Sequence, residues 1–387
     1  MTEPLRAGFT GYYGMRNFGD DLFGVLCAAA ARRYWNAEPL LVGPPLEGVH
    51  ARSTWPAQLP GAMYGSPGPI GKAARVAGFV RGLHASDVLV MGGGSVITAR
   101  ESFRKPMMLA AQRRGRVQLA ALGVSIGPFA DAEAEASAAE FVRSFAYLSV
   151  RDRRSFDLAQ RMGLERIVHR GRDLAGLLPL VLPPRADSVA GGVPRLGLAP
   201  CQYKVRTDHP APTPEQWQEA AVRAIARRSA RSPLHVEVFS LNAHPQHGDE
   251  RLAMALLQRL REHAVPASLH AYRGGDPLAT VRAIRNCDAF VSARLHGAIV
   301  AYLCSVPFAI VDYHPKCRDF GDDIGLPAQL RVGGASCPDD AFMRPLDALL
   351  NDNGWRPSLS PHLYAQEAQD IFQCAPWSTS TPSRTAA

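Results

Sequence analysis

Short apolar runs recur along the chain, each closing on glycines or a charged residue and each followed by a stretch of helical periodicity. Leu5–Gly11 reads as a first strand, followed by a glycine-rich loop and a helix from about Asp20 to Tyr34. Val88–Met91 is a second strand that gives way to a loop at Gly92-Gly93-Gly94, and Val117–Ser125 is a third. Ala146–Val150 ends at Arg151-Asp152, after which Arg153–Met162 is predicted helical up to a stop at Gly163. Past Leu182 the pattern lapses into a proline- and glycine-rich stretch with the composition of a linker. It resumes at Arg195, with a helix near Glu215–Arg231, a strand over Leu234–Ser240 and a helix near Asp249–His263. Strands follow near Pro266–Tyr272 and over Ala289–Ser292, and Ala298–Asp312, broken at Pro307, reads as a buried helix followed by a buried strand. Strand-helix alternation in two blocks predicts an α/β protein of two similar halves joined by a hinge. The expected divisions are an N-terminal half over 1–183, a linker over 184–194, a C-terminal half over 195–345, a helical segment over 346–375 and a disordered tail over 376–387. Within the helical segment, Pro361–Phe372 is predicted to pack back on one half, with Ser360 as N-cap.

Composition narrows the function classes. The chain has 387 residues, 47% of them apolar, which suffices for two buried cores. Its net charge of +8 favours anionic partners, yet the basic residues are spread out and form no dense run with interleaved aromatics, which argues against nucleic acid. Cys27, Cys201, Cys287, Cys304, Cys317, Cys337 and Cys374 are scattered and show no zinc or redox spacing, so a reducing cytoplasm is the expected compartment. No signal-peptide pattern and no uncharged apolar span of bilayer length is visible; membrane contact is expected to be peripheral at most. His244 and His247 lie in a loop without supporting carboxylate spacing, and no metal site is expected.

The candidate chemistry gathers where strands end. In open α/β sheets ligands collect at the carboxyl ends of strands, and Arg294 and His296 follow the Ala289–Ser292 strand directly. Lys316 follows the next strand-like run, Pro307–Tyr313. Two permanent cations and one titratable ring suit a phosphate or carboxylate substrate, although a histidine at a helix N-terminus can equally be satisfied by a backbone carbonyl. Gly11-Tyr-Tyr-Gly-Met-Arg-Asn17-Phe-Gly-Asp20-Asp21 can bring backbone N–H groups to an anion at a helix start, or the aspartates can be ordinary capping residues. Its spacing does not match a dinucleotide fingerprint. Gly92, Gly93 and Gly94 can admit a phosphate or sugar to the backbone or simply form a tight turn. Gly123-Val-Ser125-Ile-Gly127-Pro128 can line a pocket or serve structure. Arg151 can clamp an anion with its planar fork or pair with Asp152 or Asp157.

In their order over residues 8 to 320, Asn17-Phe-Gly-Asp-Asp21, Gly92-Gly-Gly94, Gly123–Pro128, Val150-Arg-Asp152 with Ser155, and Arg294-Leu295-His296 with Pro307 and Lys316 resemble the polysaccharide pyruvyl transferase family. The resemblance implies two Rossmann-like domains facing across a cleft, as in GT-B glycosyltransferases. It implies phosphoenolpyruvate as donor and a glycan or lipid-linked oligosaccharide as acceptor, joined as a pyruvate ketal with release of phosphate and without a cofactor. It further implies that Arg151, Arg294, His296 and Lys316 form the donor site, with Asn17, Asp20, Gly92, Gly93, Gly94, Ser125, Gly127 and Leu295 as substrate-binding positions and His296 as the proton donor. The proline-rich linker and Cys201-Gln-Tyr-Lys-Val-Arg206 have no counterpart in the family pattern. A nucleotide-sugar glycosyltransferase of the same fold and a non-catalytic glycan- or anion-binding protein are the alternative readings.

Overall fold

A computed structural model describes residues 3–98, 102–183, 192–205, 211–245, 247–333, 339–351 and 356–379. The chain divides into two compact units. Unit 1 comprises Met1–Met15, Asp20–Leu182 and Leu363–Ala387; unit 2 comprises Arg16–Gly19 and Pro183–His362.

Unit 1 alternates β1 (Arg6–Thr10), α1 (Phe18–Trp35), β2 (Glu38–Val42), β3 (Arg52–Ser53), α2 (Gly61–Gly65), α3 (Pro69–Ala85), β4 (Val88–Ile97), α4 (Arg104–Arg113), β5 (Gln118–Ile126), α5 (Ala132–Arg143), β6 (Tyr147–Val150), α6 (Arg153–Arg161) and β7 (Val168–Arg170). Phe18 and Gly19, which open α1, group with unit 2. The strands form one parallel sheet in the order β3-β2-β1-β4-β5-β6-β7. β5 is buried from Leu119 to Ile126, as expected of a parallel strand covered on both faces, and this is why it reads as a continuous apolar run.

Unit 2 alternates β8 (Arg195–Ala199), α7 (Pro214–Ser229), β9 (His235–Ser240), α8 (Glu250–Glu262), β10 (Ala267–Ala271), α9 (Pro277–Arg285), β11 (Ala289–Ser292), α10 (Leu295–Leu303), β12 (Phe308–Val311), α11 (Pro315–Asp323), β13 (Arg331–Val332) and α12 (Asp339–Leu350). Its parallel sheet runs β10-β9-β8-β11-β12-β13. Both sheets therefore share the Rossmann pattern, in which the order reverses beside the first strand and opens a crevice at the carboxyl edge. That crevice lies between β1 and β4 in unit 1 and between β8 and β11 in unit 2.

The structure departs from the sequence expectations in two places, the glycines of β4 and residues 376–379. Gly92 and Gly94 continue β4 and pair with Leu122 and Val124 of β5, so these glycines are strand rather than loop. The final helix, α13 (Pro361–Gln373), forms as expected and packs back on one half, grouping with unit 1 from Leu363 onward: Tyr147 Oη donates to the Ile371 carbonyl at 3.0 Å, and Trp35 Nε1 donates to the Phe372 carbonyl at 2.8 Å. Residues 376–379, expected in the tail, are held on unit 1, where Trp377 meets the Trp35 ring edge-on and Thr379 N–H donates to the Tyr34 carbonyl. The rest of the expected tail, 380–387, and most of the expected linker, 184–191, lie outside the described residues.

Candidate functional site

In unit 2 the local chemistry is set by the turn from β11 into α10. Ser292 Oγ donates to the Arg294 carbonyl at 2.6 Å and accepts the Arg294 N–H at 3.1 Å, which folds the strand end back into the helix. Gly297 makes this tight join possible, since a Cβ there would stand 2.5 Å from Ser292 Oγ. Arg294 occupies the N-cap position with an extended backbone, and its side chain makes no capping bond. Helix α10 thus starts at the sheet edge without a capping bond from its own N-cap side chain. Leu295 buries its side chain, so a ligand-binding role for this residue falls to its backbone.

The Arg294 guanidinium does not stand as an uncompensated cation. Nε donates to Asp249 Oδ2 at 2.7 Å and Nη2 to Oδ1 at 2.5 Å, a bidentate pair with a fully buried carboxylate. Burial opposes the Arg294 charge, but Cys201 and Asp249 outweigh it and hold the group above its ordinary value. Burial pushes the Asp249 carboxyl up, and Arg294 together with the N–H groups of Gln202 and Leu241 pulls it back. Asp249 thus ties the carboxyl ends of β8, β9 and β11 to one another.

His296, half-buried in the first turn of α10, is held by a segment from the start of the chain. Residues 16–18 bridge to 241–243: Phe18 N–H donates to the Leu241 carbonyl at 3.0 Å, Ala243 N–H donates to the Arg16 carbonyl at 2.9 Å, and Asn17 bridges to Asn242. Asn17 Oδ1 accepts the Gly19 N–H at 3.3 Å, the bond of an N-cap. Gly19 then abuts the imidazole, where a Cβ would come within 1.8 Å of His296 Nδ1. Lys316 enters in the first turn of α11, its N–H donating to Nδ1 of the N-cap His314 at 3.2 Å. Its charge and that of Arg294 both act on Cys201, a buried thiol just past β8 whose Sγ lies 3.6 Å from Tyr313 Oη. Burial raises that thiol against the two cations. Arg294, His296 and Lys316 are therefore all carried by βα turns of unit 2, while Asp249, Cys201, Tyr313 and Gly19 join them without any local sequence signal.

Arg151 belongs to unit 1 and has a different setting. Its Nη1 donates to Asp173 Oδ2 at 2.9 Å, Nε to Ser125 Oγ at 2.7 Å and Nη2 to Ser95 Oγ at 3.3 Å, with Asp152 at 4.0 Å. Burial opposes its charge, and Asp173 and Asp152 restore it. The expected free clamp is thus a buried fork already engaged, and its ion-pair alternative involves Asp173 before Asp152. Asp157 pairs with Arg153 instead. Ser125 is equally committed, donating to Asp152 Oδ2 at 2.5 Å, and Ser155 Oγ accepts the Ile126 N–H. Gly127, at φ 65, precedes a cis peptide to Pro128.

The glycines of β4 are spoken for in turn. Tyr13 Oη donates to the Gly92 carbonyl at 2.8 Å and leaves no room for a Cβ there, and Phe23 fills the corresponding space at Gly93. Gly94, at φ 86, would meet only ordinary contacts, with Val96 Cγ1 at 3.8 Å and Asp20 Oδ1 at 4.0 Å from the Cβ position. Asp21 is buried and accepts the Gly14 N–H at 2.6 Å. Among the described residues, no cluster of potential ligands could hold a metal ion, and no helix is long and apolar enough to cross a membrane.

Comparison with known proteins adds a family and a fold. The family model for polysaccharide pyruvyl transferase matches residues 17–315. No curated protein matches the chain. Among solved structures, the UDP-GlcNAc 2-epimerase from Methanocaldococcus jannaschii is 10% identical, covering 96% of this chain and 99% of its own, with a TM-score of 0.57. A co-structure of S. aureus MnaA with UDP is 9% identical over 95% and 92%, also at 0.57. The UDP-GlcNAc 2-epimerase from Neisseria meningitidis bound to UDP-GlcNAc is 7% identical over 96% and 99%, at 0.54. At these identities the likeness is one of fold, two Rossmann-like α/β domains.

Proposed function

From the premise that this chain belongs to the polysaccharide pyruvyl transferase family, and is therefore an enzyme, we propose that it transfers the enolpyruvyl-derived group of phosphoenolpyruvate onto two hydroxyls of a glycan or its lipid-linked precursor as a ketal. The observation that carries this reading is the βα turn of unit 2, where a histidine sits in the first turn of α10 beside Arg294, with Lys316 in the first turn of α11. A phosphate and a carboxylate on one small donor call for several N–H groups and cations at close quarters. The N–H groups of Leu295 and His296, the Lys316 ammonium and the Arg294 edge not engaged by Asp249 fit that need.

In this mechanism His296 gives a proton to the methylene carbon of phosphoenolpyruvate, making a methyl group and leaving the adjacent carbon electrophilic. One sugar hydroxyl adds to that carbon and returns its proton to His296. The carbon–oxygen bond to phosphate then breaks, the second hydroxyl adds, and its proton leaves with the phosphate as hydrogen phosphate. Lys316 and Arg294 stabilise the charge on the departing group; loss of one such donor typically costs about a hundredfold in rate or more. Arg151 contributes by holding the β5-β6 edge of unit 1 in shape. The scheme uses no cofactor and runs in the cytoplasm.

Calorimetric titration of phosphoenolpyruvate, and separately of UDP-sugars, into the wild type and Lys316→Met tests this. Lys316 is the better probe than Arg294, whose removal would strand a buried Asp249. Phosphoenolpyruvate binding that weakens in the variant supports the reading. UDP-sugar binding with no response to phosphoenolpyruvate refutes it and moves the chain to glycosyl transfer.

A further inference from the structure

Between Glu47 and Asp87 the chain carries no Asp or Glu, while Arg52, Lys72, Arg75 and Arg81 fall inside the same stretch. Between Arg52 and Lys72 no side chain is charged at all. This uncharged run is nonetheless at the surface. Residues 57–63 are exposed one after another, and so are Pro67, Pro69 and Ile70. Three large apolar side chains stand out among them: Ile70 is 66% exposed, Leu59 42% and Met63 39%. A single exposed apolar residue needs no explanation, but three on one short excursion of the chain make a patch.

The excursion has a defined shape. Arg75 Nη1 donates to the carbonyls of Tyr64 at 2.7 Å and Ser66 at 2.9 Å, which seats the end of α2 on the first turns of α3. Gly71 permits that approach, since a Cβ there would meet the Ser66 carbonyl oxygen at 2.0 Å. Met63 adjoins one of these anchors and Ile70 the other, and the Leu59 carbonyl is tied in by Trp55 Nε1 at 3.3 Å. Along α3, Ile70, Ala73, Ala77 and Arg81 follow at spacings of three and four and are all exposed, so the helix turns outward a face that is apolar at its start and cationic at its end. Thr54, just past β3, touches the middle of α3, where a Cβ at Gly78 would stand 3.2 Å from its Oγ1. Tyr64 Oη reaches the Val42 carbonyl at 3.4 Å, and Met15 Sδ lies 3.7 Å from the Cβ position of Gly65, so the patch borders the carboxyl ends of β1 and β2.

We propose that this surface docks unit 1 on an anionic phospholipid bilayer, with Leu59, Met63 and Ile70 entering the headgroup region and Arg52, Lys72 and Arg81 meeting lipid phosphates. An apolar tip accompanied by cations is the composition that an interfacial contact requires, because burial of the tip and attraction of the charges act together. Charge decides between a bilayer and a second copy of this chain. A symmetric dimer through the patch would set Arg52, Lys72 and Arg81 against their own counterparts with no acid in the stretch to offset them, whereas an anionic surface complements all three. The net charge of +8 on the whole chain has the same sign. The contact is a surface one, since no helix among the described residues is long and apolar enough to cross a bilayer. It leaves the donor chemistry of unit 2 untouched.

Flotation of the full chain with vesicles of phosphatidylcholine alone, and of phosphatidylcholine mixed with phosphatidylglycerol, tests this. Wild type is compared with Lys72→Glu, with Ile70→Ser and with the triple variant Leu59→Ser, Met63→Ser, Ile70→Ser. All four side chains are exposed, and thermal melting checks that the fold is kept. Wild type is expected to bind the anionic vesicles at least about tenfold more tightly than the neutral ones, and less tightly as salt is raised. Lys72→Glu should weaken that binding about fivefold or more, Ile70→Ser about tenfold and the triple variant about a hundredfold or more. Ile70→Ser carries the comparison if the triple variant melts early. Equal binding to the two kinds of vesicle, or anionic binding that survives the serine substitutions, overturns the proposal. Self-association of the wild type without vesicle binding, abolished by the same substitutions, also overturns it, because a second copy then covers the patch.

Discussion

Gly19→Ala isolates the placement of His296 from every other feature of the site. Gly19 lies within α1 and does not have a positive φ, so alanine meets no backbone strain there. Helix propensity favours the change by up to about 1 kcal/mol. The added methyl carbon, however, would stand 1.8 Å from Nδ1, 2.4 Å from Cγ and 2.6 Å from Cε1 of His296. Nonbonded heavy atoms settle at about 3.5–4.0 Å, so the ring has to retreat by roughly 1.5–2 Å. A misplacement of about 1 Å at a reacting group costs on the order of a hundredfold in rate. The expected variant is folded and binds phosphoenolpyruvate through Lys316 and the α10 N–H groups, but turns over at least about a hundredfold more slowly. Thermal melting, calorimetry and phosphate release with the cognate acceptor measure the three quantities, and the imidazole resonances of His296 report the displacement directly. Unchanged turnover with shifted His296 resonances refutes the role of His296 as proton donor; unshifted resonances refute the packing argument itself.

Asp249→Ala leaves Arg294 buried without its counter-ion and is expected to cost about 3 kcal/mol, the low end for a buried pair because Arg294 keeps 20% of its side chain exposed. Denaturant unfolding measures it, and an unchanged midpoint would show that the pair contributes nothing net. Glu237 on β9 is opposed by burial but accepts hydrogen bonds from Ser268 and His270, which hold its carboxyl below the ordinary range. A depressed carboxyl stabilises the fold above its unfolded pKa and loses that contribution as pH falls through the folded value, so the urea midpoint should drop on acidification and Glu237→Gln should flatten that drop; parallel curves for the two proteins count against it. Cys27, Cys201, Cys287, Cys304 and Cys317 are buried, and burial pushes Cys317 up to about 12. A thiol reagent at neutral pH should therefore modify these five only after unfolding, whereas the exposed Cys374 reacts early; rapid labelling of Cys201 would contradict its burial past β8.

The alternation of the chain was legible because parallel strands covered on both faces must be apolar throughout, and β5, β8, β11 and β12 are read directly from such runs. β3, β7 and β13 are too short to carry any period. Gly92–Gly94 misled for a physical reason. Three glycines resemble a loop, but here they sit in a paired strand because Tyr13 and Phe23 occupy the space that side chains at Gly92 and Gly93 would need. Contacts of that kind come from residues in another element and leave no mark on the local pattern.

The site shows the same division between what is local and what is not. Arg294 and His296 stand in one turn and announce themselves, whereas Gly19 reaches the imidazole from the opposite end of the chain. Asp249 reads as an ordinary helix N-cap, yet its side chain makes no capping bond on α8 and faces Arg294 instead. Arg151 and Arg294 look alike in sequence, an arginine just past a strand, and both prove to be matched by a buried carboxylate, Asp173 in one unit and Asp249 in the other. A guanidinium buried at a strand end has to find such a partner, since its desolvation is otherwise uncompensated. Counting cations along the chain therefore overstates the positive field on a substrate. At the unit 2 edge Asp249 offsets the Arg294 charge, so under the proposed reading Lys316 carries more of the attraction for the donor. A charge-removing change at Lys316 should accordingly weaken donor binding more than Arg294→Lys, which keeps the charge but loses the bidentate hold on Asp249.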